Sequence, residues 1–540
     1  MMTGKYRVTE DILGTLVLGQ QLTFLTRNTT SGSSSSTIPF FDQIGAGVTR
    51  DAGSSRFESR IYSYYAQLTV NAWDRLSLTG AVRRDAGSTF GDENPVHYYP
   101  KASIAYRLSQ ESFMQSLKGI VDEFKLRFAW GQAGRQPGTY STNNLYGTGG
   151  LFDPWGRGTS ANRSGQSGII HNLGAGNNAA KPELSTEIET GLDAAFWNRR
   201  INIEFSYYRQ DITQLLLFVD VPRSTGFNSQ YRNAGEMWNK GFEVKLDINP
   251  IRLDEFSWVA SVNYARNQNE VTKLEGFETS YITLTGAFAG TYNIAKIGRR
   301  LGTWLGSGYE KDANGKIVYS DPADPKRVDN FLNPNIKNAP RYNGAVELGN
   351  ADPNWTGSFR NDFTFLNGDL TLSVLFDAMW GQKVWNGTKG AMFNFGTHKD
   401  TERREELWFN DEGQPVIYMG TTATNFGLTG GRTYQPGEQL RREVYYRVYG
   451  NGFNVNEPFI EDGSFVKLRD VTLSYRLRNV PFFNIESIVF TASGRNLKTW
   501  TDYTGYDPEV NTFQQAEGRG FDYFTLPQVR SFRFDISINY

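Results

Sequence analysis

The residue types that most often bind metal ions or transfer protons are rare in this sequence of 540 residues. It contains three histidines, His97, His171 and His398, all in segments predicted to be loops, and no spacing brings two of them onto one metal ion. Cysteine is absent, which excludes disulfide bonds and thiolate metal sites. We therefore predict solvated loop histidines, no metal site and no cofactor.

The segment Asp-Ala-Asn-Gly at 312–315 contains the residue types that begin a calcium-binding loop. Asp312, Asn314 and Gly315 have a suitable spacing, but the glutamate that closes an EF-hand loop is missing. A β-turn accounts for the same residues, followed by a lysine, without any metal ion. The sequence therefore favours a turn over a calcium site.

Two pairs of carboxylates have a spacing that could suit general acid and base catalysis. Glu187 and Glu189 form one pair, and Glu243 and Asp247 form the other. An even spacing places both members of a pair on one face of a strand. If that face lines a water-filled lumen, the carboxylates are solvated and interleaved with basic residues. Those basic residues are Lys245, Arg360 and Arg533.

No motif of catalysis or nucleotide binding accompanies these carboxylates. The Gly-x-Ser-x-Gly motif, the P-loop and the dinucleotide fingerprint are all absent from the sequence. We therefore assign no catalytic or cofactor-binding residue, and we predict that the protein is not an enzyme.

Three aromatic residues in the 131–184 segment could stack on sugar rings, since an aromatic face suits the C–H side of a pyranose. They are Tyr146, Phe152 and Trp155. Ordinary loop packing is the favoured explanation for each of them. The ligand-binding residues therefore stay unassigned.

The last eleven residues, RSFRFDISINY at 530–540, indicate what kind of element positions these side chains. Phe532, Phe534 and Ile536 alternate with Arg533 and Asp535, so a strand here has one apolar and one polar face. Its length matches the roughly 9–11 residues of a tilted transmembrane strand. The alternative from this segment alone is an edge strand of a soluble sandwich.

Composition favours the membrane alternative. Aromatic residues make up 14% of the chain while its mean hydropathy is only -0.50, a combination typical of barrels with aromatic girdles and alternating strands. No run of about 18 apolar residues exists, which excludes a spanning helix. A net charge of -1 gives no argument for nucleic-acid binding.

The same alternation recurs along the chain and predicts about 14 strands. The predicted strands are 11–27, 62–70, 75–84, 98–108, 124–130, 187–196, 201–207, 242–248, 256–264, 355–366, 369–380, 465–478, 487–496 and 530–540. In the strand at 465–478, Lys467 and Arg469 share parity with the apolar Val471, and we expect either a β-bulge there or first residues that stand clear of the lipid.

The connections between these strands alternate between short and long. The short links are 71–74, 109–122, 197–200, 250–255, 367–368 and 479–486. Long loops are predicted for the SGSSSS segment, for 131–184, for 267–354 and for 381–464. Outer-membrane barrels have short periplasmic turns and long extracellular loops, whereas a sandwich has no reason to sort its loops in this way. We predict an all-β fold, a transmembrane antiparallel β-barrel.

The first residues, MMTGKYRVTEDILG, lack the charged and apolar regions of a secretory signal. An outer-membrane barrel needs such a signal. We therefore expect residues 1–540 to be a fragment, one partial barrel domain, with a mis-started reading frame or a wrong membrane interpretation as the alternatives.

Several stretches resemble the SusC/RagA class of TonB-dependent outer-membrane transporters. They are KPELSTEIETGLDAAFWNRRINIEFSYYRQDITQLLL (181–217), STGFNSQYRNAGEMWNKGFEV (224–244), GNADPNWTGSFRNDFTFLNGDLTLSVLFDAMWGQKVWN (349–386), GSFVKLRDVTLSYRL (463–477), ASGRNLKTWTDYTGYDPEVN (492–511) and LPQVRSFRFDISINY (526–540). The resemblance covers most of 180–540 in the order of the family, whereas the first 180 residues are similar only in character.

The resemblance implies a location in a Gram-negative type outer membrane, in contact with its lipid. Members of this class have a signal, a plug and a 22-stranded barrel, and they import glycans or peptides beneath a SusD-like surface lipoprotein with energy relayed by TonB. The chain departs from that pattern, because the signal, plug and about eight strands are missing. The expected function is therefore the barrel portion of such an importer, with TonB contacted only through the plug. The alternatives are an autonomous passive pore and a surface adhesin or structural barrel.

Overall fold

The computed structural model divides the chain into two compact units. The first comprises Met1–Ala194, Ser206–Lys240 and Thr272–Glu278, and the second comprises Ala195–Phe205, Gly241–Val271 and Thr279–Tyr540. The structure describes residues 1–37, 39–41, 43–147, 151–152, 158–159, 162–163, 166–167, 169–277, 281–287, 289–323, 335–420, 423–424, 433–480, 485–515 and 518–539.

The first unit contains six long strands, each antiparallel to the next along the chain. They are β1 Met2–Thr9, β2 Ile12–Thr37, β3 Gly47–Ala72, β4 Leu76–Gly87, β5 Val96–Arg107 and β6 Val121–Arg135. Four further strands have residues in both units: β7 Glu183–Phe196, β8 Ile201–Asp220, β9 Ser229–Arg252 and β10 Phe256–Leu274.

The second unit continues the antiparallel order from β10 to the end of the chain. Its strands are β11 Trp355–Phe365, β12 Leu370–Trp380, β13 Phe465–Val480, β14 Ile485–Thr501 and β15 Ser531–Asn539. Each of the fourteen predicted strands overlaps one of β2 to β15, which confirms the antiparallel all-β prediction. The sequence pattern did not predict β1.

Large apolar side chains are exposed on the strands, the reverse of the arrangement in a water-soluble protein. In the first unit, Leu16, Leu18 and Leu22 of β2 are exposed. All three have even numbers, so they lie on the same face of the strand. In the second unit, Phe534 of β15 is 80% exposed and Ile536 is 67% exposed. A surface of this kind is stable against hydrocarbon, so these faces are the expected lipid contacts.

The short links at 71–74 and 367–368 are tight turns, whereas the link at 109–122 contains 3-10 helices. Trp73 and Asp74 between β3 and β4 both have positive φ, as do Leu366 and Asn367 between β11 and β12. Two consecutive residues of this kind match the twist of a hairpin. The predicted link at 479–486 includes residues 481–484, which lie outside the described residues.

The prediction of a loop at SGSSSS is wrong. β2 and β3 remain paired as far as Thr37 and Gly47, with Ser31 opposite Gly53. Small polar residues carry no apolar alternation, so their strand conformation leaves no trace in the hydrophobic pattern. The register that pairs Ile12 with Ala72 in the apolar part of the two strands nevertheless continues through them.

The predicted long loop at 131–184 contains the end of β6, turns and seven two-residue strands where the structure describes it. These strands are Tyr146–Gly147, Leu151–Phe152, Gly158–Thr159, Asn162–Arg163, Gln166–Ser167, Ile170–His171 and Gly174–Ala175. Single-turn 3-10 helices occur elsewhere at Ile44–Ala46, Leu108–Gln110, Ser112–Leu117, Arg223–Thr225 and Leu366–Gly368.

The predicted long loops at 267–354 and 381–464 are also folded where described. A four-stranded sheet contains Tyr281–Ala287, Thr291–Lys296, Thr303–Tyr309 and Tyr342–Asn350. Further short strands are Ile336–Lys337, Lys383–Asn386, Ile417–Tyr418, Ala423–Thr424, Thr433–Tyr434, Ile460–Asp462 and Phe521–Asp522. The helices are α1 Gly387–Phe395, α2 Arg442–Val444, a π-helical turn Tyr445–Tyr449, and 3-10 turns Lys399–Thr401 and Glu457–Phe459.

None of the helices in the described part of the chain is both long enough and apolar enough to cross a membrane.

Candidate functional site

The connections of the second unit at 281–354, 381–464 and 502–530 form a folded body, here called the packed connections. Trp304, Trp385 and Phe521 come from all three segments and are buried in one apolar cluster. The Trp304 ring meets the Phe521 ring edge to face with centroids 4.6 Å apart, and its Nε1 donates a hydrogen bond to the Lys383 carbonyl at 2.9 Å. Side-chain packing therefore holds these connections in one arrangement.

A second apolar cluster of the packed connections contains stacked tyrosines. The rings of Tyr309 and Tyr342 stack at 5.7 Å, and those of Tyr342 and Tyr449 at 5.8 Å. The Tyr342 hydroxyl donates to the Tyr449 carbonyl at 2.8 Å. Burial raises the pKa of Tyr342 and of Tyr449. These phenols stay neutral and act as packing elements rather than as acids.

The helix α1 approaches Gly452 so closely that only glycine fits at position 390. A Cβ added at Gly390 would lie 2.6 Å from Cα of Gly452. We expect Gly390→Ala to force the two backbones apart at a cost of about 1–3 kcal/mol. Limited proteolysis of the detergent-solubilised protein should then cleave the packed connections faster. Gly344→Ala is the matched control, since a Cβ there meets nothing within 4 Å. Equal cleavage of both variants would contradict the expectation.

A buried charge network joins β13 to the 502–530 segment. The Lys467 side chain is 2% exposed, and its Nζ lies 2.7 Å from Oδ1 of Asp507 and also pairs with Glu509. Arg469 extends the network, because its Nη2 lies 2.8 Å from Asp377 and 2.9 Å from Glu509. A charge buried this deeply is tolerated only when it is paired.

A β-bulge explains how these basic residues reach the polar face, and it confirms the irregularity predicted from the sequence. Relative to β12, the register of β13 shifts between Leu468 and Asp470, so Arg469 is an extra residue, whereas on the β14 side two residues, Asn496 and Leu497, lie opposite it. Lys467 consequently lies opposite Asp377 of β12, on the polar face. Strict alternation would have placed it with the apolar residues instead.

A second buried carboxylate lies in the packed connections. The Tyr503 hydroxyl donates to Oδ2 of Asp522 at 2.6 Å, and the Thr388 hydroxyl donates to Oδ1 at 3.0 Å. Nearby, Lys389 pairs with Glu461 at 3.0 Å. Burial raises the pKa of Asp522 above its ordinary value of 3.8.

This raised pKa predicts a fall in stability as the pH rises. The native protein holds the Asp522 proton at pH values where the unfolded chain has released it, so the free energy of unfolding decreases from about pH 3.8 upward through the raised pKa. We expect Asp522→Asn to reduce that decrease, measured by urea unfolding at a series of pH values.

Asp312→Asn provides a control of opposite sign. The backbone N–H of Lys316 lowers the pKa of Asp312, so its contribution is present above pH 3.8 and is lost as the pH falls through the lowered pKa. Parallel pH profiles for the wild type and Asp522→Asn would contradict the role of Asp522.

The carboxylates singled out in the sequence lie beside basic or polar side chains. In the first unit, Glu189 lies 3.6 Å from Arg127 and accepts a hydrogen bond from Ser206 at 3.1 Å. Glu187 accepts one from Gln210 at 3.4 Å. In the second unit, Lys245 pairs with Asp247 at 3.4 Å and with Glu204 at 3.3 Å.

Two basic residues of the same predicted set pair with carboxylates on their own strands: Arg360 with Asp362 at 2.8 Å and Arg533 with Asp535 at 2.7 Å. Glu243 lies in β9, two residues before Lys245. The arrangement is one of cation–carboxylate pairs along the polar faces of strands. It resembles a solvated lining more than a general acid and base pair.

Two of the three histidines are placed differently from the prediction, since His97 lies in β5 and His171 in the short strand Ile170–His171. His97 lies within β5 rather than in a loop, half-buried, with Nε2 2.9 Å from the Asn94 carbonyl. The strand β5 begins at Val96, two residues before the apolar pattern that begins at Tyr98. His171 is 3.0 Å from the Asn172 carbonyl, and His398 caps the Lys399–Thr401 turn. Across the described ranges, no three His, Asp or Glu side chains group as a metal site requires.

The Asp-Ala-Asn-Gly segment is a turn, as predicted. The Asp312 carboxylate accepts hydrogen bonds from the backbone N–H groups of Asn314 and Lys316 at 2.8 and 2.9 Å. Gly315 has a φ of 79°, which glycine adopts without strain. Tyr146 is exposed, whereas Trp155 and the side chain of Phe152 lie outside the described residues. Their proposed sugar stacking therefore stays a prediction.

Comparisons with known proteins agree with this fold. A family model described as "TonB dependent receptor-like, beta-barrel" matches residues 3–374. The chain is 26% identical over 500 residues to TonB-dependent receptor P26 of Formosa agariphila, covering 89% of this chain and 46% of that protein. It is 25% identical over 503 residues to TonB-dependent receptor SusC of Bacteroides thetaiotaomicron, covering 89% and 44%.

Among solved structures, the RagAB peptide transporter matches with a TM-score of 0.70 and 19% identity, covering 99% of this chain and 54% of that one. The chain spans about half the length of the curated relatives it matches. The family model also includes the first 180 residues, whose sequence had resembled the class only in general character.

Proposed function

The chain belongs to the TonB-dependent receptor-like β-barrel family of the outer membrane, and on that premise we propose that it forms the barrel portion of an importer of large nutrients. The nutrients are glycans or peptides, and a SusD-like surface lipoprotein works with the barrel. In this proposal residues 1–540 supply barrel strands only, so the plug and its contact with TonB lie outside them.

The two-faced character of the strands is the observation that carries the proposal. Exposed Phe534 and Ile536 on one face of β15 suit lipid, whereas Arg533 and Asp535 on the other face form an ion pair. A strand with these two faces is suited to separate lipid from an aqueous passage. An adhesin or structural barrel has no need of so polar an inner face.

The packed connections support a role in controlling that passage. The cluster around Trp304 and Trp385 holds three long connections together, and the Lys467 network fixes the 502–530 segment to the start of β13. Connections with such internal packing provide a shaped surface for a large substrate rather than an open pore mouth.

Deletion of the gene in its own bacterium tests the proposal. We expect growth on one class of oligomer, either oligosaccharides or oligopeptides, to be lost, while growth on the corresponding monomers is unchanged. A protonophore should abolish uptake of the labelled oligomer in the parent strain, because TonB-dependent import needs the proton-motive force.

Two other outcomes would favour the alternatives. Uptake that persists with the protonophore, together with stable conductance of the purified protein in planar bilayers, would favour an autonomous passive pore. Impaired attachment to surfaces with unchanged growth on every oligomer would favour an adhesin or structural barrel. Co-purification of a SusD-like lipoprotein with the tagged protein tests the partner separately.

A further inference from the structure

One row of residues on the exposed face of β3, β4 and β5 differs from the apolar rows beside it. Tyr64 lies opposite Arg84, and Arg84 lies opposite Tyr98. Directly opposed residues of an antiparallel pair have Cβ atoms about 4.5–5.5 Å apart. Arg84 therefore has a phenol on each side, on a face whose other exposed residues are mainly apolar.

A groove of about 520 Å³ opens beside this row in the first unit. Leu18, Ala66 and Val82, which follow one another across β2, β3 and β4, form its apolar part, and the Tyr64, Arg84 and Tyr98 row forms its polar part. Tyr98 is 61% exposed and Leu18 is 46% exposed, so the groove is open to the surroundings of the protein. It can accept an elongated apolar group with one polar end.

Arg84 has no carboxylate partner within the part of the chain that the structure describes. The neighbouring Arg83, on the opposite face, is fully engaged: it lies 2.7 Å from Asp85 and 2.8 Å from the Ser63 hydroxyl. Adjacent arginines thus have contrasting environments. The one on the polar face has a counter-ion in the chain, and the one on the apolar face has none.

The height of the row along the strands places it at an edge of the apolar band. Leu76, at the start of β4, is eight residues before Arg84. At about 3.4 Å per residue the two are roughly 27 Å apart along the strand, and strand tilt reduces this to roughly 20 Å of depth. The apolar band of an outer-membrane barrel is about 25 Å tall, so the Arg84 backbone lies roughly 5 Å inside the far edge of the band, and its long side chain can extend to the lipid head groups.

We propose that this groove binds a membrane lipid, with the phosphate head group on Arg84 and an acyl chain along Leu18, Ala66 and Val82. A guanidinium offers two parallel donors that match two phosphate oxygens. The hydroxyls of Tyr64 and Tyr98 supply further donors beside it. If the Arg84 side chain only extended toward water, the protein would bind lipids with and without a phosphate equally. The proposed site instead selects lipids that carry a phosphate.

Equilibrium binding to the full chain in an uncharged detergent tests the site without requiring transport. The probes are phosphatidic acid and the diacylglycerol with the same acyl chains, followed by native mass spectrometry. We expect the wild type to bind phosphatidic acid more tightly by a factor on the order of ten. We expect Arg84→Gln to abolish that preference, and inorganic phosphate at equal concentration not to compete, because it lacks the acyl chain.

Arg83→Gln is the matched control and should keep the preference, since Arg83 lies on the other face. Heat-modifiable migration on gels verifies that each variant is folded. Replacement of both Tyr64 and Tyr98 by phenylalanine, which leaves the apolar surface intact, should weaken phosphatidic acid binding only. Equal binding of the two lipids by the wild type, or an unchanged preference in Arg84→Gln, would overturn the proposal. Neither result bears on nutrient import.

Discussion

Lys467→Met is expected to lower the free energy of unfolding by about 3–5 kcal/mol, the usual cost of removing one partner from a buried ion pair. Lys467 is the buried cation between Asp507 and Glu509, and its Nζ is 2.7 Å from Asp507. Methionine fills a similar volume, so the loss comes from the carboxylates left without their cation. Urea unfolding of the protein in detergent micelles, followed by tryptophan fluorescence, measures the change.

Two comparisons separate this effect from a general loss of lysine. Lys273→Met removes a cation that is 45% exposed and 2.8 Å from Glu275, and we expect at most about 1 kcal/mol. Adding Asp507→Asn alone to Lys467→Met should recover part of the lost stability, because it neutralises the carboxylate left without a cation while Glu509 keeps its pair with Arg469. Similar losses in Lys467→Met and Lys273→Met would refute the argument.

Trp304→Ala is expected to cost about 3–5 kcal/mol and to open the packed connections. The indole is 0% exposed and contacts the Phe521 ring. Its removal leaves a cavity where two of the three segments meet, and the Lys383 carbonyl loses its donor. Cleavage of the packed connections by a protease, compared with unfolding of the strands in urea, shows whether the damage stays local.

A graded series of tryptophan variants refines this prediction. Trp304→Phe keeps a ring but loses the hydrogen bond to Lys383, so we expect a cost of about 1 kcal/mol from that bond plus a smaller packing loss. Trp197→Ala, at a half-exposed turn position, should change stability by about 0.5 kcal/mol or less. The expectation fails if Trp304→Ala is no more sensitive to protease than Trp197→Ala.

The strands could be read from the sequence because their signal is local. A strand between lipid and water has an apolar residue at every second position, as Phe532, Phe534 and Ile536 show. Each strand has this pattern independently of its neighbours. The Ser-rich ends of β2 and β3 lack this apolar pattern, because small polar residues are tolerated on either face of a strand. Their pairing follows from a register fixed near Ile12 and Ala72, some distance along the chain.

The candidate site could be read only in part, because its contacts join distant segments. The parity break at Lys467 and Arg469 indicated a bulge, but nothing local connected Lys467 with Asp507, forty residues later. Trp304 and Trp385 belong to segments without periodicity, so their shared core has no signature in either one. The neighbourhood of Tyr64 and Arg84 depends on the register between β3 and β4. That register is not visible in the sequence of either strand alone.

The bulge at Arg469 also determines which length changes β13 can absorb. Side chains alternate with a period of two, so deleting Arg469 would remove the bulge, make Leu468 adjacent to Asp470 and leave Lys467 on the polar face under strict alternation. Two-residue insertions before the bulge preserve the alternation, whereas single insertions reverse it. The extra residue thus acts as a parity switch: while the bulge is kept, an odd length change between Phe465 and Leu468 exchanges the solvents of the residues before it, and an even one leaves them in place.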